Sequence, residues 1–167
     1  TNFVLLMRVR AYWRYMLIGS FVFSGMFAFM TAAPFIVITL MGYSVVTYGW
    51  LSFSGIVGYM LGSLVLSQIS DHLSIDITIP IGVSIVALSG AALLLIALAG
   101  VLTLASLFLS LAVMAFGMAL MFPSTMAGAI SIYPQIAGAG AALFGFFQML
   151  LAAFVVWLVS VIADGSH

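Results

Sequence analysis

The sequence predicts an all-α fold, a polytopic transmembrane helical bundle, and three observations lead to that prediction. Hydrophobic residues make up 66% of the chain. Charged residues make up only 4%, against roughly 25% in soluble domains. The few charged side chains all lie at the edges of long apolar runs. A charge at the bilayer centre costs at least about 2.5 kcal/mol on insertion scales. Transmembrane helices therefore rarely carry charges in their middle, and these apolar runs carry none there.

Each of five apolar runs is long enough to cross a bilayer, which takes about 20 helical residues. The first run can tilt or bend at Pro34. A polar loop at residues 71–76 precedes the third run, where we expect Pro80 in the first helical turn. We expect Pro123 to kink the end of the fourth run, and residues 133–135 to connect it to the fifth. The chain is then one partial transmembrane domain, 1–167, with spans at about 14–41, 45–70, 77–99, 101–121 and 138–163.

The orientation in the membrane follows from the basic residues. All three arginines lie between residues 8 and 14, which places the N-terminal end in the cytoplasm. Alternation then places residues 71–76 and 133–135 in the cytoplasm as well. We expect no signal peptide and expect the chain, which opens with Thr1, to begin inside a longer protein. The aromatic residues beside the arginines suit the headgroup belt: Tyr12, Trp13 and Tyr15.

Small residues at three- and four-residue spacing lie on one side of a helix and let another helix backbone come close. In lipid, where no hydrophobic effect drives helices together, such close packing stabilises their contact. The second span and the fifth span carry such glycines, and the third span lacks aromatic and strongly polar residues in its later part. We therefore expect the third span to be the most lipid-facing. The predicted helix-packing residues are Gly55, Gly58, Gly62, Gly138 and Gly145.

Polar and small residues fall on one face of the first span and one face of the fourth, at helical spacing. These faces could line a polar cavity, or their hydroxyls could bond back to carbonyls of their own helices. In the fifth span the Gln148 amide needs a partner or water at membrane depth, and a helix-to-helix hydrogen bond is the alternative. The candidate substrate-binding residues are Ser24, Phe27, Thr31, Ser110, Met114, Gly117, Phe144 and Gln148.

The residue types needed for most catalytic and metal sites are scarce in this chain. It has no Cys and only two His, and no HExxH or GxSxG spacing occurs. We therefore expect no enzymatic activity, no cofactor and no metal site. The net charge is zero, and the sequence has no basic patch that would indicate nucleic-acid binding. The expected partners are membrane lipid and a small-molecule substrate.

Three segments carry a family resemblance: FAFMTAAPFIV at residues 27–37, YGWLSFSGIVGYMLGS at 48–63 and AGAGAALFGFFQMLLAA at 137–153. They resemble the C-terminal half of a major facilitator superfamily drug exporter, and most of all the bicyclomycin and chloramphenicol resistance group. The resemblance implies helices seven to eleven of that fold, which is built from three-helix inverted repeats.

The resemblance also implies a loop motif of glycine, acid and base after the eighth helix. Gly62 and Asp71 match this motif, whereas residues 73–75 are Leu, Ser and Ile where basic residues are usual. This departure argues against a charged gate at the loop.

The function implied by the resemblance is that of a multidrug efflux transporter. Such a protein moves small amphipathic compounds by alternating access, in exchange for protons. Its location would be the cell membrane, the inner one in a bacterium. The partners implied are the N-terminal half and the last helix of the same transporter. The alternative is a non-transporting membrane scaffold or assembly subunit that packs through its small-residue helix faces.

Overall fold

The computed structural model describes residues 2–70 and 72–164. In these two ranges all regular structure is helical, so the all-α prediction is confirmed. A π-helix, Phe35–Leu40, extends the second helix, and a 3₁₀ turn, Pro134–Ile136, precedes the last. The α-helices are α1 (Asn2–Met7), α2 (Arg10–Pro34), α3 (Val45–Ile69), α4 (Ile75–Leu98), α5 (Leu104–Ser131) and α6 (Ala137–Asp164).

Five helical segments in the described chain are long and apolar enough to cross a membrane. They range from 24 to 31 residues, compared with the about 20 residues that a bilayer core requires. The chain is therefore that of a multi-pass membrane protein. The segments are Arg10–Leu40, Val45–Ile69, Ile75–Leu98, Leu104–Ser131 and Pro134–Ile162.

The fourth membrane helix is longer than its sequence suggested. α5 continues to Ser131, with Pro123 inside it, instead of ending near residue 121. Proline is tolerated inside membrane helices where hydroxyls and local adjustments satisfy the backbone groups that it frees. In the same turn as the proline, the Thr125 hydroxyl donates a 2.8 Å hydrogen bond to the Phe122 carbonyl oxygen, although the carbonyl that Pro123 leaves without its helix donor is that of Ala119.

The same helix has a well-formed N-terminus at Thr103 and Ser106. The Ser106 backbone N–H donates to the Thr103 hydroxyl at 3.2 Å, and the Thr103 N–H donates to the Ser106 hydroxyl at 3.1 Å. These reciprocal bonds form a capping box, which satisfies two amides that the helix would leave free. α5 therefore begins at Leu104 rather than at residue 101.

α4 begins before the position expected from its apolar run. Its first residue is Ile75, so Pro80 lies in the second turn and not in the first. The Ser74 carbonyl oxygen accepts hydrogen bonds from the backbone amides of Ile77 and Thr78 and from the Thr78 hydroxyl. The polar loop residues thus build a first turn ahead of the proline.

Two glycines in the left-handed region end membrane helices. Gly100 has a φ of 69°, and the Val101 amide behind it reaches back to the Ile96 carbonyl oxygen at 3.2 Å. This is the Schellman arrangement, which glycine adopts without a side-chain clash. Gly42, with a φ of 71°, follows the π-helix in the same conformation.

The chain divides into two compact units, which we call the first unit (residues 1–31 and 122–167) and the second unit (residues 32–121). In the first unit, α1, α2, α6 and the end of α5 contribute to one apolar core. Phe122 and Phe147 are among the half-buried residues that pack against it. The fully buried residues of this core are Leu6, Tyr12, Met16, Ala129 and Phe144.

Tyr12 is part of this core rather than of the headgroup belt. Its side chain is fully buried, and its hydroxyl donates a 2.7 Å hydrogen bond to the Gly140 carbonyl oxygen. The expectation that its ring faces the headgroups is wrong, because an aromatic residue beside arginines can also point inward. The bond ties α2 to α6 near the start of both helices.

In the second unit α3 packs closely against α5 through its glycines. A methyl group at Gly58 would overlap the Ala112 carbonyl, and one at Gly62 would lie 2.5 Å from the Phe116 carbonyl oxygen. At Gly55 it would lie 3.2 Å from the Leu111 side chain. These glycines let the two backbones approach, as small residues do between membrane helices.

The glycines of α6 differ from those of α3. A methyl group at Gly138 or Gly145 would meet nothing within 4 Å in the described structure. The glycine of this segment that does contact another helix is Gly140, which lies against the Tyr12 ring. Gly138 and Gly145 therefore leave an open face on α6.

Candidate functional site

The hydroxyl groups predicted to line a cavity on α2 bond within their own helix. The buried Ser24 hydroxyl donates to the Ser20 carbonyl oxygen at 2.7 Å. The exposed Thr31 hydroxyl donates to the Phe27 carbonyl oxygen at 2.8 Å. This is the back-bonding geometry that was the alternative interpretation. Each hydroxyl oxygen can still accept a hydrogen bond from a ligand.

A row of aromatic rings runs through the first unit. Phe23 lies 4.7 Å from Phe27 and 5.9 Å from Phe122, and Phe122 lies 6.4 Å from Phe144, all measured between ring centroids. Phe144 is fully buried at one end of the row, whereas Phe27 is 36% exposed at the other. Of these rings, Phe27 is therefore open to a ligand and Phe144 supports the rings that could contact one.

Gln148 is the candidate with the most hydrogen-bonding capacity left. Its side chain is only 6% exposed, and no hydrogen bond of its amide occurs within residues 2–70 and 72–164. It belongs to a buried stripe of α6 at four-residue spacing, with Gly140, Phe144 and Ala152. Burying an amide without a hydrogen bond costs about 1–3 kcal/mol in proteins. A polar group that paired with the Gln148 amide would remove this cost, so Gln148 is suited to bind one.

The candidates on α5 lie in the second unit, and two of them contact α4. The Ser110 carbonyl oxygen accepts a 2.8 Å hydrogen bond from the Ser89 hydroxyl. A methyl group at Gly117 would lie 2.9 Å from the Gly82 carbonyl oxygen. Met114 lies between these two contacts on the helix and is half-buried. At Gly117 the structure therefore shows helix packing, with no room for a ligand.

The candidate residues divide between the two units. One group belongs to the first unit: Ser24, Phe27, Thr31, Phe144 and Gln148. The other belongs to the second unit: Ser110, Met114 and Gly117. The loop-motif candidate Asp71 lies outside the described residues. Within the first unit, the candidates that keep an exposed surface or unused hydrogen-bonding atoms are Ser24, Phe27, Thr31 and Gln148.

Ser20 lies on the polar face that the sequence predicts for the first span, but it was not among the candidate substrate-binding residues. Its side chain is 1% exposed, and its hydroxyl is a buried polar atom that has no hydrogen-bond partner. Ser20 and Ser24 share one helical face and one residue type, so spacing cannot separate them. Only the observed side-chain orientation shows that Ser24 bonds to its own helix and Ser20 does not.

The part of the chain that the structure describes contains no cluster of potential metal-ligand side chains. No group of three or more His, Cys, Asp or Glu residues occurs there that could hold an ion. His72 is exposed in the loop between α3 and α4.

Comparison with known proteins gives one informative relative. No protein-family model matches the chain, and no solved structure matches it. The chain is 30% identical over 166 residues, 95% of its length, to the bicyclomycin resistance protein homolog of Haemophilus influenzae. It spans 40% of that relative's length. The similarity to the bicyclomycin resistance group inferred from the sequence is confirmed by this relative.

Proposed function

We propose that this chain forms part of a multidrug efflux transporter of the major facilitator superfamily. The observation that carries the proposal is the 30% identity, along nearly the whole chain, to a bicyclomycin resistance protein homolog. The transported compounds would be small and amphipathic. Apolar rings such as Phe27 and a buried amide at Gln148 offer contacts for both parts of such a molecule.

Alternating access supplies the mechanism, because two helical bundles rock around a site near the middle of the membrane. The five spans of this chain would provide much of one bundle and one wall of the site. The relative's greater length supports the presence of further helices in the working transporter. We propose that these are an N-terminal half and a last helix.

Gln148 would orient the substrate. Its side chain offers two N–H donors and a carbonyl acceptor, and none of them is used within the described chain. Ser24 and Thr31 would add acceptor oxygens along α2, since their protons are already donated to helix carbonyls. The substrate would therefore carry both donors and acceptors on an otherwise apolar frame.

Proton exchange would depend on acids outside this chain. The acidic residues here lie at the edges of the apolar runs, whereas coupling requires an acid that the cavity exposes to each side in turn. We propose that the other bundle supplies this acid. The N-terminal end of the chain would lie in the cytoplasm, because the arginines are concentrated there.

The test is expression of the complete reading frame in a drug-sensitive bacterium that lacks its own efflux pumps. We expect resistance to bicyclomycin and chloramphenicol, together with drug uptake into inverted vesicles that stops when the proton gradient is collapsed. The 167-residue chain alone is the matched control and should give neither effect. A complete protein present in the membrane that yields neither resistance nor uptake would contradict the proposal.

One observation bears on the alternative of a membrane scaffold. The glycines of α3 already contact α5 inside this chain, so they are not free for another protein, whereas Gly138 and Gly145 leave an open face on α6. We propose that a further helix packs on that open face. Such a contact fits either function, and the resistance assay separates the two.

A further inference from the structure

A groove of about 350 Å³ lies between α2 and α6, inside the first unit. We propose that it binds a small, largely apolar molecule with one hydrogen-bond acceptor, which pairs with the Ser20 hydroxyl. The volume falls within the range of about 300–1,000 Å³ that is usual for small-molecule sites. None of the groove residues belongs to the candidate set on which the transport proposal rests, so this site stands independently of that proposal.

The walls of the groove are apolar and partly aromatic. They include Phe21, Phe147, Leu150 and Phe154. Neighbouring rings contact two of these side chains: Trp13 meets Phe147 edge-on at 5.4 Å, and Trp157 stacks on Phe154 at 6.1 Å. Supported aromatic walls favour a flat, aromatic ligand, because offset and edge-to-face ring contacts add to the apolar area that is buried.

Ser20 lines this groove, and its hydroxyl is buried without a hydrogen-bond partner. Other buried hydroxyls on membrane helices are paired: Ser24 with the Ser20 carbonyl, Ser89 with the Ser110 carbonyl and Thr125 with the Phe122 carbonyl. A buried donor without a partner is unfavourable. In the proposed complex this hydroxyl donates to an acceptor atom that enters the groove beside Ser20.

The depth of Ser20 argues against a lipid as the occupant. At about 1.5 Å per residue, Ser20 lies roughly 15 Å along α2 from Arg10, which is near the middle of a hydrocarbon core about 30 Å thick. Lipid ester carbonyls lie at the edges of that core. An acyl chain in the groove would thus leave the hydroxyl unpaired.

The shape of the groove also argues against a further helix. Helices in lipid approach one another through small residues, but the side chains that line this groove are mostly leucine and phenylalanine. The small-residue face of α6, with Gly138 and Gly145, points away from the groove, because these residues lie about half a helical turn from Phe147 at 100° per residue. A compact ligand therefore suits the groove better than a helix does.

Benzophenone is a suitable probe, because it combines two rings with one carbonyl acceptor and forms covalent adducts under near-ultraviolet light. The complete transporter, held in lipid nanodiscs, is irradiated with benzophenone, and the adducts are located by peptide mass spectrometry. We expect them to concentrate on α2 and α6 at the groove. Fluorenone, which has a carbonyl acceptor, should compete at two- to tenfold lower concentration than fluorene, which has none.

Four variants complete the experiment. In Ser20→Ala the advantage of fluorenone over fluorene should disappear, whereas Ser24→Ala should retain it. Leu150→Trp should fill the groove and remove the adducts. Its control is Leu94→Trp, on the outward face of α4, because the two leucines are similarly exposed at 55% and 60%.

Three results would overturn the proposal. Adducts spread evenly over the outward side chains of α4 would mean that the probe only samples lipid. Absence of adducts at the groove would mean that another helix covers it. A preference for fluorenone that survives Ser20→Ala, or no preference at all, would mean that the hydroxyl does not bind the ligand.

Discussion

The Tyr12 hydroxyl donates a 2.7 Å hydrogen bond to the Gly140 carbonyl oxygen, and both residues are buried. This bond joins two helices that are separated by most of the chain. The Tyr12 ring also lies close to this glycine, 4.0 Å from where a methyl group at Gly140 would stand.

Replacing Tyr12 with Phe should destabilise the first unit. The ring would stay in place, but the bond between the two helices would be lost, which costs about 0.5–1.5 kcal/mol in soluble proteins and about 0.6 kcal/mol on average between membrane helices. We expect a lower melting temperature in detergent, measured by circular dichroism. Tyr43→Phe, at an exposed position, is the control and should melt like the unmodified protein. Equal melting of all three proteins would show that the bond contributes nothing.

Gly58→Ala should disrupt the contact between α3 and α5. The added methyl group would overlap the Ala112 backbone carbonyl, and overpacking of this kind costs about 1–3 kcal/mol. Gly49→Ala is a control in the same helix, where a methyl group meets nothing within 4 Å. Because alanine favours the helix by about 1 kcal/mol over glycine, we expect that control to be neutral or stabilising. Thermal unfolding of both variants distinguishes the two effects, and similar shifts in both would contradict the packing described.

Gln148→Leu, made in the complete transporter, should change the set of exported compounds. Since no partner within the described chain is lost, expression and thermal stability should remain close to those of the original protein. The measurement is a resistance profile across several drugs, alongside melting in detergent. Met149→Leu, at the adjacent exposed position, serves as the control. A uniform loss of resistance together with a lower melting temperature would place Gln148 in a helix contact instead.

Single cysteines at Ser44 and Ser74 should react on opposite sides of the membrane. The chain contains no other cysteine, and both serines are exposed residues directly before a membrane helix. With the arginine-bearing end in the cytoplasm, Ser44→Cys should react with a membrane-impermeant maleimide added to intact cells, and Ser74→Cys only after lysis. Labelling of Ser74→Cys from outside would reverse the orientation.

The number and type of membrane helices followed from the sequence, because uncharged runs of sufficient length leave few other structures available in lipid. The positions of the helix ends were harder to predict from the sequence. Thr103 and Ser106 form a capping box that fixes the start of α5, and Pro123 fails to end that helix. Such ends depend on a few local hydrogen bonds rather than on the apolar pattern.

The candidate site was less predictable than the fold. Spacing identifies a face of a helix, but it does not tell which neighbour covers that face. Gly117 lies against Gly82, whereas Gly145 meets nothing within 4 Å, although both were small residues on a helical stripe. Ser20 and Ser24 differ only in where their hydroxyls point. These distinctions arise from tertiary packing and side-chain rotation.

The close approach of α3 to α5 also limits which genetic changes the protein can accept. Any base change at the first or second position of a glycine codon replaces the residue, and at Gly58 and Gly62 even the smallest side chain would meet a backbone carbonyl. Leu88 and Leu98, on the outward face of α4, can exchange for isoleucine, valine or phenylalanine through single-base changes without such overlap. In a randomly mutated library selected for function, the two glycine codons should therefore stay fixed while these leucine codons diversify.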